Sequence, residues 1–198
     1  RQRQMCIRDR NQVFFDDVRV PKSSRVGDEN QGWTVAKYLL EFERGGVPYT
    51  PRVKAGLLRL KDMIHKEAGG DGRSLAEDPD FRGRLAKLEI GIQAAEIIEK
   101  RVMSALSQGE NPGYASSIFK LRGSELLQEM LELTMKALGN YAAPYQPEAY
   151  VFGNNVEAVA PDYGLTATSK YYNQRAATIY AGSSEVQRTI LAKHALGL

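Results

Sequence analysis

The chain has one cysteine, one tryptophan and two histidines in 198 residues. A lone Cys6 cannot close an internal disulfide, and without a second thiol or a Cys/His spacing no metal site can be written. A reducing compartment is therefore expected, cytoplasmic or, as the alternative, the mitochondrial matrix. No run of about 18 apolar residues occurs, so no membrane-spanning helix is expected. The first ten residues, RQRQMCIRDR, lack the apolar stretch of a secretory leader. Excess charge of one sign is missing as well: Arg1, Arg3, Arg8 and Arg10 against Asp9 account for the whole formal charge of +3, leaving residues 11–198 neutral. A neutral body predicts no nucleic-acid partner.

What is present is enough apolar material, 42% of residues, to bury a sizeable core in one domain or two. The Arg-rich residues 1–10 precede nothing periodic and are expected to be an extension outside the fold. Residues 13–20, VFFDDVRV, lie between Asn11 and Pro21 and are rich in Val and Phe, which predicts one short strand. A lone strand needs partners. Together with an opening that is not Met, this leads to the expectation that residues 11–29 are the last part of a β domain lying upstream.

From residue 30 onward the spacing is helical. Ala36, Leu39 and Leu40, then Val53, Leu57, Leu60 and Ile64, define two segments, with a break expected at Gly45, Gly46, Pro48 and Pro51. Asp78 and Pro79 suit the N-cap and first position of a new helix. Its inner face would be Leu85, Leu88, Ile92, Ala95, Ile98, Val102 and Leu106, with a stop at Gly109. Another helix is expected from about Pro112 to Leu138, leaving through Gly139 and Asn140. Residues 141–161 predict a long loop whose tyrosines are candidates to order it. A short helix over 163–178 and a last one over 184–196 complete the chain, the latter starting at a capping box of Ser184 and Gln187. Four long amphipathic segments joined mostly by short turns predict an all-α, antiparallel four-helix bundle over 30–198.

Two places could carry chemistry. Gly32, Ala36, Leu39, Glu43 and Val47 are spaced by four, three, four and four, so Glu43 falls on a stripe that is otherwise small or apolar. A carboxylate facing a core must be paired, or its pKa rises until it is useful as a base near neutrality. Spacing alone leaves both readings open: an acid that reaches solvent or pairs with a cation such as Arg44, or a functional group. The second place is IYAGSSEVQR, residues 179–188, a small, hydroxyl-rich loop at a helix N-terminus, where free donors and the helix dipole favour anions. A Gly-Ser pair ahead of a capping box is equally an ordinary helix start.

The segments FFDDVRVP and VGDENQGW at 14–33, LLEFER at 39–44 and IYAGSSEVQRTILAKHAL at 179–196 follow the order found in the acyl-CoA dehydrogenase family, which the chain resembles over nearly all residues beyond 11. These flavoproteins introduce an α,β double bond into acyl-CoA thioesters. The resemblance is to the last strand of the middle β domain and the whole C-terminal four-helix bundle. It implies FAD as cofactor, an acyl-CoA substrate, a homodimer or homotetramer, and electron-transferring flavoprotein as acceptor. In that family a carboxylate removes the α-proton while a β-hydride moves to flavin N5. Many members carry the acid in the loop, as IYEGT, where this chain has Ala181. A subset carries it on the helix just before an arginine, where this chain has Glu43 and Arg44. The positions can substitute because the carboxylate must lie within about 3 Å of the proton, whichever backbone supplies it.

Carried over position by position, the resemblance implies Glu43 as catalytic base, its pKa raised by burial against acyl chain and flavin. Arg44 and Tyr180 would contact the substrate. Gly182, Ser183 and Glu185 would approach the adenosine half of FAD. Lys136 to Asn140 is similar to the family's Q-x-x-G-G loop, with Gly139 and Asn140 as cofactor contacts, though Lys replaces Gln and Asn the second Gly. The family's R-x-x-F-G run, whose arginine reaches a neighbouring subunit's FAD pyrophosphate, is absent; Arg82 and Arg84 lie in that region. Two other readings remain: a catalytically silent dehydrogenase-like scaffold, and a flavin monooxygenase or oxidase on the same fold. The latter needs no α-proton base, so an acid at 43 argues against it.

Overall fold

The computed structural model describes the backbone of residues 12–46 and 49–198, and side chains of these outside 41–46. It divides into two compact units, residues 1–40 and 41–198. The opening decapeptide lies outside the described residues.

The expected strand over 13–20 does not form. Asp17 adopts a left-handed backbone conformation, φ 47°, which breaks the alternation a strand requires. Val13, Phe14, Phe15, Val18 and Val20 are all exposed, and among the described residues no second strand runs beside them. Extended chain without a ladder partner leaves its donors and acceptors to water. A short 3-10 turn, Lys22–Ser24, follows.

Among the described residues six α-helices follow: α1, Gly32–Gly46; α2, Thr50–Ile64; α3, Pro79–Ser107; α4, Ala115–Leu138; α5, Ala167–Asn173; and α6, Ser184–Leu191. The break expected between 45 and 51 is real in that α1 ends at Gly46 and α2 starts at Thr50. Asp78 caps α3 as expected, its carboxylate accepting from the Phe81 N–H at 2.9 Å. Pro79 takes the first turn, where its missing N–H costs nothing. Past the end of α3, Gly109 turns the chain with φ 81°.

Within 41–198 the all-α antiparallel bundle is organised around α4. Its buried residues cover most of the circumference, from Phe119 and Leu121 to Leu126, Leu127, Leu131 and Leu133, and leave one polar stripe at the surface along Arg122, Glu132 and Lys136. α2 and α3 pack on it with Val53, Leu57, Leu60, Leu85, Leu88 and Ile92, while α5 and α6 cover another side. The Tyr163–Thr178 segment resolves into α5 and a 3-10 turn over Gln174–Thr178. The expected final helix changes to a wider turn over Ala192–Leu196.

The long loop is ordered by amides, not by its tyrosines. Gln146 accepts from the Val159 N–H at 2.9 Å, and Asn154 donates to the Val151 carbonyl at 2.6 Å. Tyr145 stays in solvent, but Tyr163, just past the loop, donates to Glu67 at 2.8 Å and ties it to the end of α2. Among the described residues no helix is long and apolar enough to cross a membrane.

Candidate active site

The 179–188 segment is a sharp reversal followed by a capped helix. Tyr180 closes the preceding turn through its N–H to the Ala176 carbonyl at 3.0 Å. Ala181 and Gly182 are both left-handed, φ 54° and 89°. An alanine in that region costs roughly 1–2 kcal/mol, so the surrounding bonds must hold it there. Ser183 then extends, φ −64° and ψ 158°, and its hydroxyl accepts from the Val186 N–H at 3.3 Å.

The N-cap is therefore Ser183, one residue earlier than the Ser184 and Gln187 box. The cause is backbone geometry: only the extended residue can aim its oxygen back over the first turn. Ser184 is already helical. Its hydroxyl and both amide atoms of Gln187 are buried against α4 without a hydrogen-bond partner.

Beneath the loop lies Lys120 of α4, 1% exposed, donating from Nζ to the Ala177 carbonyl at 2.9 Å. Gln128, two turns further along α4, donates to the Gln174 carbonyl at 2.8 Å. Arg188 of α6 meets Glu125 at 2.6 Å. Three side chains of α4 thus grip the segment on both sides of the reversal, Gln128 and Lys120 before it and Glu125 after it. The Glu185 carboxyl is held below its ordinary pKa, first by its own backbone N–H and then by the Ser183 hydroxyl, with Arg188 and Lys120 adding to the effect. An ionised carboxylate at the start of α6 takes the place that an anionic ligand would otherwise occupy.

The chain that follows α1 re-enters at Tyr49. Its ring lies directly over Gly123 of α4, where a methyl group would come within 2.5 Å of the ring. Burial raises the Tyr49 phenol above its ordinary pKa, the Tyr180 phenol adds to the rise and Arg52 opposes it. Thr50 beside Tyr49 is gripped by Glu99 of α3, which accepts from the Thr50 N–H at 3.2 Å and from its hydroxyl. Tyr49, Thr50, Glu99, Arg122 and Gly123 rim a cavity of about 10 Å³ with apolar walls at Ile98, Ile118 and Phe119, room for about one water.

Glu43 and Arg44 lie on α1 shortly before its end at Gly46, and their side chains are outside the described residues, as is Val47. Leu39, on the same stripe, is 62% exposed, so at that turn the stripe is not core. Tyr180 is partly exposed, its hydroxyl 3.4 Å from Gln174 Oε1. Gly139 ends α4 with φ 51°, and Asn140 continues in a 3-10 turn. Gly182, Ser183 and Glu185 are brought together at the other end of α4, near Lys120. From Lys120 to Gly139 the helix rises roughly 28 Å, so the two sets do not share one pocket in a single chain. Arg84 is paired with Asp80 at 2.9 Å, and Arg82 is exposed on the first turn of α3.

Glu99 and Gly123 were not singled out from the sequence, yet both left a signal. Glu99 stands four residues after Ala95 and three before Val102, an acid on an apolar stripe in the same way as Glu43. Gly123 interrupts a strongly apolar helix, which marks close approach of a neighbour.

The family model described as "Acyl-CoA dehydrogenase, C-terminal domain" matches residues 30–196. The acyl-CoA dehydrogenase IpdE1 of Mycobacterium tuberculosis is 30% identical over 191 residues, covering 95% of this chain and 44% of that protein. The caffeyl-CoA reductase-Etf complex subunit CarC of Acetobacterium woodii is 25% identical, over 91% of this chain and 43% of its own length. Among solved structures, the ChsE4-ChsE5 complex from Mycobacterium tuberculosis superposes with a TM-score of 0.72 at 28% identity, covering 93% of this chain and 45% of that one. The chain spans less than half the length of these relatives.

Proposed function

Because this chain belongs to the acyl-CoA dehydrogenase family, matching its C-terminal helical domain, we propose that it supplies the proton-abstracting acid of an acyl-CoA α,β-dehydrogenation, with Glu43 as that acid. Members of the family are FAD-dependent flavoproteins. The supporting observation is the loop: position 181 is alanine, held left-handed at the reversal where the family's loop acid stands, while α1 carries Glu43 before Arg44. Glu43 stands six residues before Tyr49 in the chain, and the Tyr180 phenol adds to the rise of the Tyr49 pKa, which supports the two segments' being neighbours. Proton removal asks only that a carboxylate oxygen reach the α-carbon's hydrogen, about 3 Å away.

The residues present fit FAD at its adenosine end. Glu185, ionised and exposed at the start of α6, suits hydroxyl donors such as those of a ribose and repels phosphate. Ser183 and the left-handed Gly182 leave the loop surface free of bulk. Bound FAD would supply the hydride acceptor. Arg44 and Tyr180 would orient the thioester. Gly139 and Asn140, at the far end of α4, would meet a different part of the cofactor or the cofactor of another copy, in keeping with a homodimer or homotetramer. Residues 1–10 would stay outside the fold and 11–29 would complete a preceding domain. Electron-transferring flavoprotein as acceptor is supported by the relative that is a subunit of a reductase-Etf complex. The bacterial relatives support a cytoplasmic setting.

The test is anaerobic reduction of bound flavin by acyl-CoA in the full-length protein. Glu43→Gln should abolish reduction while the flavin stays bound. Unchanged reduction in that variant defeats the assignment.

A further inference from the structure

The reversal at 181–182 is held against its own preference. Ala181 is exposed and left-handed, a conformation an alanine keeps only where the chain is fixed nearby. The fixing bonds lie at the base of the loop. The Ile179 and Tyr180 N–H groups both donate to the Ala176 carbonyl, at 2.9 and 3.0 Å. The next carbonyl, that of Ala177, accepts from Lys120 Nζ of α4 at 2.9 Å. Lys120 and Ala177 are each 1% exposed, so this charge-assisted bond is made out of water. An ammonium is costly to bury, and a methionine would fill the same space without that cost. What the ammonium adds is a donor for a carbonyl near the end of the 3-10 turn over Gln174–Thr178, where the turn's own N–H groups run out. On the other side of the reversal, the Glu185 carboxyl is held down first by its own N–H and the Ser183 hydroxyl, with Arg188 and Lys120 adding to the effect. The buried cation thus bonds the turn that enters the loop, and its charge is felt by the helix that leaves it.

We propose that Lys120 is a positioning residue for this loop: by holding the Ala177 carbonyl it keeps Ala181 left-handed, and so keeps Gly182, Ser183 and Glu185 where they meet FAD. This rests on the reading of those three residues as FAD contacts. Lys120 acts through a short and fully described path. Only Thr178, Ile179 and Tyr180 separate Ala177 from Ala181, and the last two are tied to Ala176, which leaves little slack. A buried hydrogen bond to a charged group is worth roughly ten- to a hundredfold in an equilibrium. The left-handed conformation costs an alanine roughly five- to thirtyfold. The two are of similar size, so once the ammonium is gone the bias of Ala181 towards negative φ decides the shape of the loop. Glycine at 181 has no such bias.

The experiment compares Lys120→Met, Ala181→Gly, the double variant and Ala181→Val in the full-length flavoprotein, with two readouts. The first is hydrogen exchange of the peptide covering residues 178–186. Exchange should accelerate roughly tenfold or more in Lys120→Met, and return most of the way to the parent rate in the double variant, because glycine takes the left-handed shape unaided. Ala181→Gly alone should not accelerate it. The second readout is the FAD concentration that half-saturates the protein after its flavin has been removed. It should rise about tenfold or more in Lys120→Met and fall back in the double variant. Ala181→Val changes an exposed position and no core contact, and should accelerate exchange by itself, since a β-branched side chain resists positive φ. Unaltered exchange in Lys120→Met, a double variant no better than Lys120→Met, or Ala181→Val exchanging at the parent rate overturns the proposal. Accelerated exchange with unaltered FAD binding overturns it differently: the grip is then real and the loop's contacts with FAD are not. Full activity in Glu43→Gln would defeat the base assignment alone, since neither readout here depends on it.

Discussion

At Gly123 the packing admits nothing larger than hydrogen, because the Tyr49 ring occupies the space a side chain would need. Gly123→Ala should lower stability by about 1–3 kcal/mol through overpacking, measured as a shift of the urea midpoint. Gly83, in α3, has nothing within 4 Å of an added methyl group. Gly83→Ala should therefore stabilise by roughly 0.5–1 kcal/mol through helix propensity alone. Equal effects in the two variants would contradict the ring contact. Tyr163 offers a second test. Its hydrogen bond to Glu67, helped by burial and the carboxylate's charge, pushes its pKa from 10.0 to about 12. A phenol whose folded pKa is raised contributes stability that is present below its ordinary pKa and lost as pH climbs through the folded value. Urea midpoints of the parent should fall between about pH 10 and 12 more steeply than those of Tyr163→Phe. Parallel curves would show that the bond to Glu67 contributes nothing.

At the scale of elements, the start of α6 separates two adjacent serines. Ser183 caps the helix, and Ser184 has a buried hydroxyl without a partner. Ser183→Ala should cost about 1 kcal/mol in thermal unfolding, whereas Ser184→Ala, which removes an unsatisfied group, should be neutral or slightly stabilising. The reverse order would return the cap to Ser184. The sequence placed this helix start within one residue, because hydroxyl residues ahead of an apolar run mark caps. It could not choose between the two, since the choice depends on the reversal at Ala181 and Gly182 and on the grip of α4 beneath it. The start of α3 was fully legible, since Asp78 and Pro79 act on their own first turn. The start of α2 was not: its capping carboxylate stands 49 residues away.

For the molecule as a whole, the helical body is built inward on α4, while the N-terminal unit presents much of its apolar surface to solvent. Trp33, the chain's only tryptophan, is 71% exposed. Its fluorescence should resemble that of a solvated indole and be quenched efficiently by acrylamide. A blue-shifted, protected emission would contradict this exposure. Phe14, Phe15 and Leu39 share this exposure. Among the described residues, the segments that read as strand and as buried stripe by pattern have no apolar partner to complete them, which is why no strand forms there and why the register of Glu43 is not by itself evidence of burial.

By itself the sequence determined whatever a few neighbouring residues can enforce: the helical periods, the Asp78 cap, and the stops at Gly109 and Gly139. Tertiary structure alone decided that α4 is covered on all but one polar stripe, that Lys120 holds the turn before the loop, that Glu99 caps a helix it does not belong to, and that Gly139 and Glu185 lie at opposite ends of one rod. The physical reason is range. Propensity and local caps act over one turn of chain, whereas these contacts close loops of tens of residues and exist only once the helices have packed.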